Sequence, residues 1–143
     1  MDNNPVVCAD RFAVPGSLAT LGLIALGPLV RSGLILEPPV VISNADDEAR
    51  ELDAALEMLG WSAGCETRLE LINLDGILAC TALAVISSPE TSIELDELYD
   101  EAYSRSFFVR REDDAEWHTR LVRGAPHAAY QLRYAPDEPA SLV

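Results

Sequence analysis

The stretch Val40-Val41-Ile42-Ser43-Asn44-Ala45-Asp46-Asp47-Glu48, running on through Ala49-Arg50-Glu51-Leu52-Asp53-Ala54-Ala55-Leu56-Glu57-Met58-Leu59-Gly60, changes periodicity part-way. Val40-Val41-Ile42 is β-branched and reads as a short strand. Ser43-Asn44 is a natural helix cap, and Asp46, Asp47 and Glu48 put negative charge where the dipole of a starting helix favours it. Leu52, Ala55, Leu56 and Leu59 then recur at helical spacing as one buried face, and Gly60 closes the element.

Working towards the N-terminus, Pro15-Gly16 makes a turn and Ser17 caps a helix from Leu18 to about Arg31 that is apolar on nearly all sides and stops near Gly33. Pro28 should kink or shorten its last turn. Residues 1–11 form an irregular or short extended lead-in. The uncharged stretch from Phe12 to Val30 contains Pro15, Gly16, Gly22, Gly27 and Pro28, so it reads as a buried core helix rather than a membrane span.

Towards the C-terminus, Glu66 to Leu74 alternates as a half-exposed strand does, with Leu69 and Leu71 opposite Arg68 and Glu70. Ile77 to Ile86 is continuously apolar, which suits a central strand covered on both faces. Asp75-Gly76 between them either turns the chain or bends one longer strand. Thr91 and Glu94 have capping-box spacing, and Leu95, Leu98, Tyr99 and Ala102 mark a third helix ending near Arg105. Thr119 to Arg123 and His127 to Tyr134 read as two further strands, and residues 135–143, with Pro136 and Pro139, as a tail. Nothing divides the chain, so residues 1–143 are expected to form a single domain. Its expected class is α+β, a largely antiparallel mixed sheet with helices packed on one face.

Composition narrows the function classes. The chain has 143 residues, 49% apolar, with a formal net charge of −14 and no lysine. Nucleic acid is therefore an unfavourable partner, because phosphate binding relies on cationic side chains. Cys8, Cys65 and Cys80 show no metal-type spacing and no CxxC pair, so no zinc site or disulfide framework is indicated. The start Met1-Asp2-Asn3-Asn4 lacks the basic region of a secretory signal, and a reducing cytoplasm is the expected compartment.

Two segments carry a family resemblance. Ala13-Val14-Pro15-Gly16-Ser17-Leu18-Ala19-Thr20, followed by Leu26-Gly27-Pro28-Leu29-Val30-Arg31-Ser32-Gly33-Leu34-Ile35, is similar to a segment reading Asn-Pro-Gly-Cys-Tyr-Pro-Thr that enters a helix ending in Ala-Gly-Leu-Ile. Gly76-Ile77-Leu78-Ala79, then Leu98-Tyr99-Asp100-Glu101-Ala102-Tyr103, Phe108-Val109-Arg110 and Thr119-Arg120-Leu121-Val122-Arg123-Gly124, follow in the same order as Gly-Ile-Leu-Ala, Leu-Tyr-x-x-x-Tyr, Phe-Val-Arg and Thr-Lys-x-Val-x-Gly. Both resemble the substrate-binding and dimerisation domain of N-acetyl-gamma-glutamyl-phosphate reductase. The resemblance implies the fold of the semialdehyde dehydrogenase dimerisation domain and a homodimer.

Departures from that family decide the expected chemistry. Where the family places the cysteine that attacks an acyl phosphate, this chain has Ser17. A cysteine at a helix N-terminus draws on the dipole to stay a thiolate, whereas a serine hydroxyl needs an adjacent base. The family's His-Arg-His-x-Pro-Glu-Ile base segment and its Ser-Gly-rich loop have no counterpart before the helix beginning near Asp46. The family's arginine before Gly-Ile-Leu-Ala is replaced by Asp75. No Gly-rich dinucleotide turn is present, and no cofactor is expected.

Ser17 reads first as a plain cap; as a nucleophile it would need His118 or His127 beside it. His127, after Gly124-Ala125-Pro126, is the stronger acid-base candidate because the resemblance sets it near the ancestral pocket. Arg110, Arg120 and Arg123 are candidate ligand-binding residues for a carboxylate or phosphate, or else structural partners of Asp113, Asp114 or Glu116. Tyr99, Tyr103 and Phe107 read as core and interface packing. Two functions follow: a non-redox, repurposed reductase-like domain that dimerises and binds a small anionic ligand or a protein partner, or a cofactor-free cyclase, isomerase or hydrolase reusing the old pocket.

Overall fold

The computed structural model describes residues 14–87, 92–113 and 119–134. The lead-in at 1–11 with Cys8, the Thr91 capping position, His118 and the tail at 135–143 lie outside these residues. The described elements are α1 (Ser17–Ser32), β1 (Val40–Ser43), α2 (Ala49–Met58), β2 (Glu66–Leu69), β3 (Cys80–Leu83), α3 (Ser92–Tyr103), β4 (Val109–Arg111) and β5 (Ala128–Tyr130), with a 3₁₀ turn at Thr119–Leu121. The class is α+β. Among the described residues no helix is long and apolar enough to cross a membrane.

The sheets are mixed rather than largely antiparallel. In the three-stranded sheet, ordered β2-β1-β3, β1 runs parallel to β2 and antiparallel to β3; β4 and β5 form a separate parallel pair. The parallel β1–β2 pairing follows from what joins the strands. A helix carries the chain back to the starting end of the sheet, so the next strand must point the same way. β1, not the apolar run from Ile77 to Ile86, is therefore the central strand. That run yields only β3, on the sheet edge, before Ile86 bridges Ile35. Its burial comes from α1 packed against β3 rather than from strands on both sides.

Asp75 and Gly76 do turn the chain, with φ of 56° and 82°, and Ile77 N–H donates to the Leu74 carbonyl at 3.2 Å. The turn does not make a hairpin, because β1 lies between β2 and β3. Asn44 fixes the crossing segment instead of capping α2. Its Nδ2 donates to the Ile77 carbonyl at 2.9 Å, and its Oδ1 accepts from Ala79 N–H at 2.8 Å. Ser43, buried, donates to the Ala79 carbonyl at 2.7 Å. α2 starts later, behind Glu48, which makes no side-chain cap bond.

The expected strand at Thr119–Arg123 is a 3₁₀ turn. Val122 and Arg123 N–H both donate back to the Thr119 carbonyl, and Gly124 follows at φ 67°. Local bonds win there because Gly124-Ala125-Pro126 ends the segment too soon for a ladder. β5 opens at Ala128 and lasts three residues, shorter than the expected His127–Tyr134. Its partner β4 is too brief for alternation to announce.

The core gathers on α1. Leu52 and Leu56 of α2, Leu95 and Tyr99 of α3, Val41 of β1 and Leu26 and Leu29 of α1 are essentially sealed from solvent. Full burial of each leucine contributes roughly 1.5–3 kcal/mol. Phe107, expected in the packing, is exposed and meets Phe108 edge-on.

Pro28 lies inside α1 and has no N–H for the Ile24 carbonyl. Tyr103 supplies the missing donor, its hydroxyl reaching Ile24 O at 2.7 Å, while the Tyr99 hydroxyl donates to the Ala25 carbonyl. Burial pushes the Tyr103 hydroxyl up to about 12, Tyr130 adding to the rise and Arg31 opposing it, so it remains a donor across the ordinary pH range. Tyr103→Phe should destabilise the protein by about 1–2 kcal/mol in urea unfolding, since it leaves that carbonyl short of a partner. In a Pro28→Ala background, where the backbone regains its own donor, the same change should cost less, giving a coupling energy of about 1 kcal/mol. Strictly additive effects would refute this pairing.

Candidate functional site

Ser17 is the first residue of α1 and is exposed; the cap position belongs to Gly16, and Ser17 makes no side-chain cap bond. The caps come from the next helix. Glu51 Oε2 accepts from Gly16 N–H at 2.9 Å, and Asp47 Oδ2 accepts from Leu18 N–H at 2.8 Å. Asp47, expected to serve the first turn of its own helix, serves α1 instead. A Cβ on Gly16 would sit 2.7 Å from Glu51 Oε2 and 3.3 Å from Asp47 Oδ2, so glycine is what lets both carboxylates approach this closely.

These contacts determine what the helix end can do. An open helix N-terminus attracts anions through its free N–H groups and dipole. Here two of those groups already hold carboxylates, and two negative charges offset the dipole. An incoming acyl phosphate or carboxylate would meet repulsion. Among the described residues no hydrogen bond joins Ser17 to His127, which is half-buried just ahead of β5.

The arginines are placed as follows. Arg110 is exposed on β4 and Arg120 exposed on the 3₁₀ turn. Arg123 Nη2 lies 3.0 Å from Asp75 Oδ2, an exposed pair. Arg111, next to the candidate Arg110, is the hub of a charge cluster: its side chain is 21% exposed, with Asp96 at 2.6 Å, Asp113 at 2.5 Å and Asp100 at 3.6 Å. No sequence signal separated the two, because the three-residue β4 is too short for its alternation to be read.

Two cavities adjoin residues 131–133, which follow β5. One, of about 360 Å³, is polar and lined by Asp96, Arg111, Asp113, Gln131, Arg133 and Tyr134, with Leu95 and Leu132. The other, of about 410 Å³, is largely apolar and lies between the 78–83 segment and residues 128–133, over α1 and Tyr99. Ser17, His127, Arg110, Arg120 and Arg123 line neither.

Cys80 borders the apolar cavity, and burial pushes its thiol up to about 11. Cys65 is pushed up to about 12 by burial, by its hydrogen bond to Asp53 and by that carboxylate's charge. Thiols held this high are poor nucleophiles at neutral pH. Among the described residues no three His, Cys, Asp or Glu side chains gather as metal ligands. No model of a known protein family matches the chain, and no curated protein matches its sequence.

The carboxylate caps lead to a direct test. In Ser17→Cys protein the introduced thiol should titrate at or above the ordinary value of about 8.5, because Asp47 and Glu51 cancel the helix's pull. Alkylation rate against pH reads this. A thiol titrating well below that value would show that the helix end still stabilises anions.

Proposed function

We propose that this chain is a non-redox binding protein, a reductase-like domain that dimerises and holds a protein partner rather than converting a substrate. The resemblance to the reductase's dimerisation domain supplies the fold analogy. Ser17 in the cysteine's position, with carboxylates on the neighbouring amides, supports the loss of acyl-transfer chemistry. A small anionic ligand is the less favoured occupant, since Arg123 is engaged by Asp75 and Arg111 by three aspartates.

One observation carries the dimer. Leu69, Leu71 and Ile72 are exposed by 48%, 89% and 48%, all on or just after β2. β2 is an edge strand, and because Glu66 and Glu70 N–H donate towards β1, Thr67 and Leu69 turn their N–H and C=O groups outward. An unpaired edge beside exposed apolar side chains is a self-complementary surface suited to a two-fold contact. Like charge on two copies opposes the contact, so added salt should strengthen it.

Light scattering on size-exclusion eluate should find a dimer at micromolar concentration. The double change Leu71→Asp with Ile72→Asp should give a monomer whose unfolding midpoint, extrapolated to low concentration, is unchanged, because both side chains are exposed. A wild-type monomer at every salt concentration would refute the dimer.

A further inference from the structure

Among the described residues, β3 and β5 are edge strands of their two sheets and line one cavity. In the β1–β3 ladder, Asn44 N–H donates to the Ala79 carbonyl, so residues 79, 81 and 83 direct their backbone groups at β1. Alternation then turns the N–H and C=O groups of Cys80 and Ala82 away from it. In the β4–β5 ladder, Ala128 N–H donates to the Phe108 carbonyl and Glu112 N–H to the Tyr130 carbonyl. Those bonds commit residues 128 and 130 to β4 and turn Ala129 the other way.

The apolar cavity occupies the space both edges look into: β3 and β5 line it, and neither β1 nor β4 does. Leu21, Ile24, Ala25 and Leu29 of α1 form its floor. We infer that this groove takes an extended segment of another protein as an added strand between β3 and β5, joining the two small sheets into one. Main-chain donors and acceptors on both walls match an extended backbone, which is how strand addition gains its affinity. Alternate side chains of that segment would rest on the apolar floor, so every second residue is aliphatic. The charged residue lining the groove is Arg133, so the preference at the intervening, solvent-facing positions comes from the field of the whole chain, which carries −14 without a lysine and favours lysine or arginine there. This assignment rests on the binding reading above but not on the dimer, which uses the other edge of the sheet.

A labelled peptide of about six residues alternating valine and lysine, the usual strand length, is the probe, titrated into full-length protein by fluorescence anisotropy. Saturable binding is expected, weakening as salt rises, the opposite of the salt response of the dimer. A peptide with proline at the alternate positions keeps the charge but lacks the donors and should bind at least about tenfold more weakly. Leu21→Lys, which charges the groove floor, should weaken binding at least about tenfold while leaving the unfolding midpoint within the spread of surface substitutions. If that variant proves unfolded, Ile24→Lys serves the same purpose. Equal affinity for the proline peptide would reduce the contact to charge attraction and overturn the inference, as would no binding at low salt. Dissociation of the dimer by the peptide would assign the groove to a second copy of the chain and equally overturn it. A dimer that persists while peptide binds leaves both proposals standing, and a monomer that binds peptide removes only the first.

Discussion

α1 is a helix that cannot satisfy its own backbone. At its start the N–H groups of Gly16 and Leu18 have no turn before them; in its interior Pro28 deprives the Ile24 carbonyl of a donor. Both deficits are met from elsewhere in the chain, the first by Glu51 and Asp47 on and before α2, the second by Tyr103 of α3. Because α1 is also the element that packs against β3, these bonds fix the position of the sheet edge relative to both other helices. A buried polar group without its partner costs more than the bond itself contributes, so α1 holds its neighbours in register as much as they hold it.

The same bonds govern function. Filling a helix N-terminus with carboxylates occupies amides that would otherwise attract an anion and sets two negative charges beside Ser17. What stays available is backbone of a different kind: the outward groups of Thr67 and Leu69 on one edge, and those of Cys80, Ala82 and Ala129 around an apolar groove. Protein surfaces usually hide such edges, since an unpaired strand invites another chain. Two short sheets with edges unpaired among the described residues are consistent with a molecule whose work is to be joined by other polypeptides.

Where the pattern depends on neighbours a few residues away, the sequence was readable. Val40-Val41-Ile42 as strand, Leu52 and Leu56 as a buried stripe and Gly33 closing α1 at φ 71° follow from local sterics and periodicity. Features that required partners distant along the chain were not. Ser43 and Asn44 look like a cap, but the carbonyls of the 72–79 segment compete for them and win. Asp47 looks like a helper of its own helix, but Leu18, 29 residues away, receives it. The apolar run at Ile77–Ile86 says it is covered without saying by what, so a helix on one face and a strand on one side produce the same composition as a central strand. The candidate site suffered most from this: Ser17 is where the turn and helix were expected, while the charges that determine its chemistry come from another element.

Residue-resolved amide hydrogen exchange puts the closed helix end to the most direct test. Gly16 and Leu18 should be protected in the native protein and lose that protection in the Asp47→Ala, Glu51→Ala double variant while the α1 interior stays protected. Rapid exchange at both amides in the native protein, or protection indifferent to those substitutions, would contradict it and return the start of α1 to the set of available anion sites.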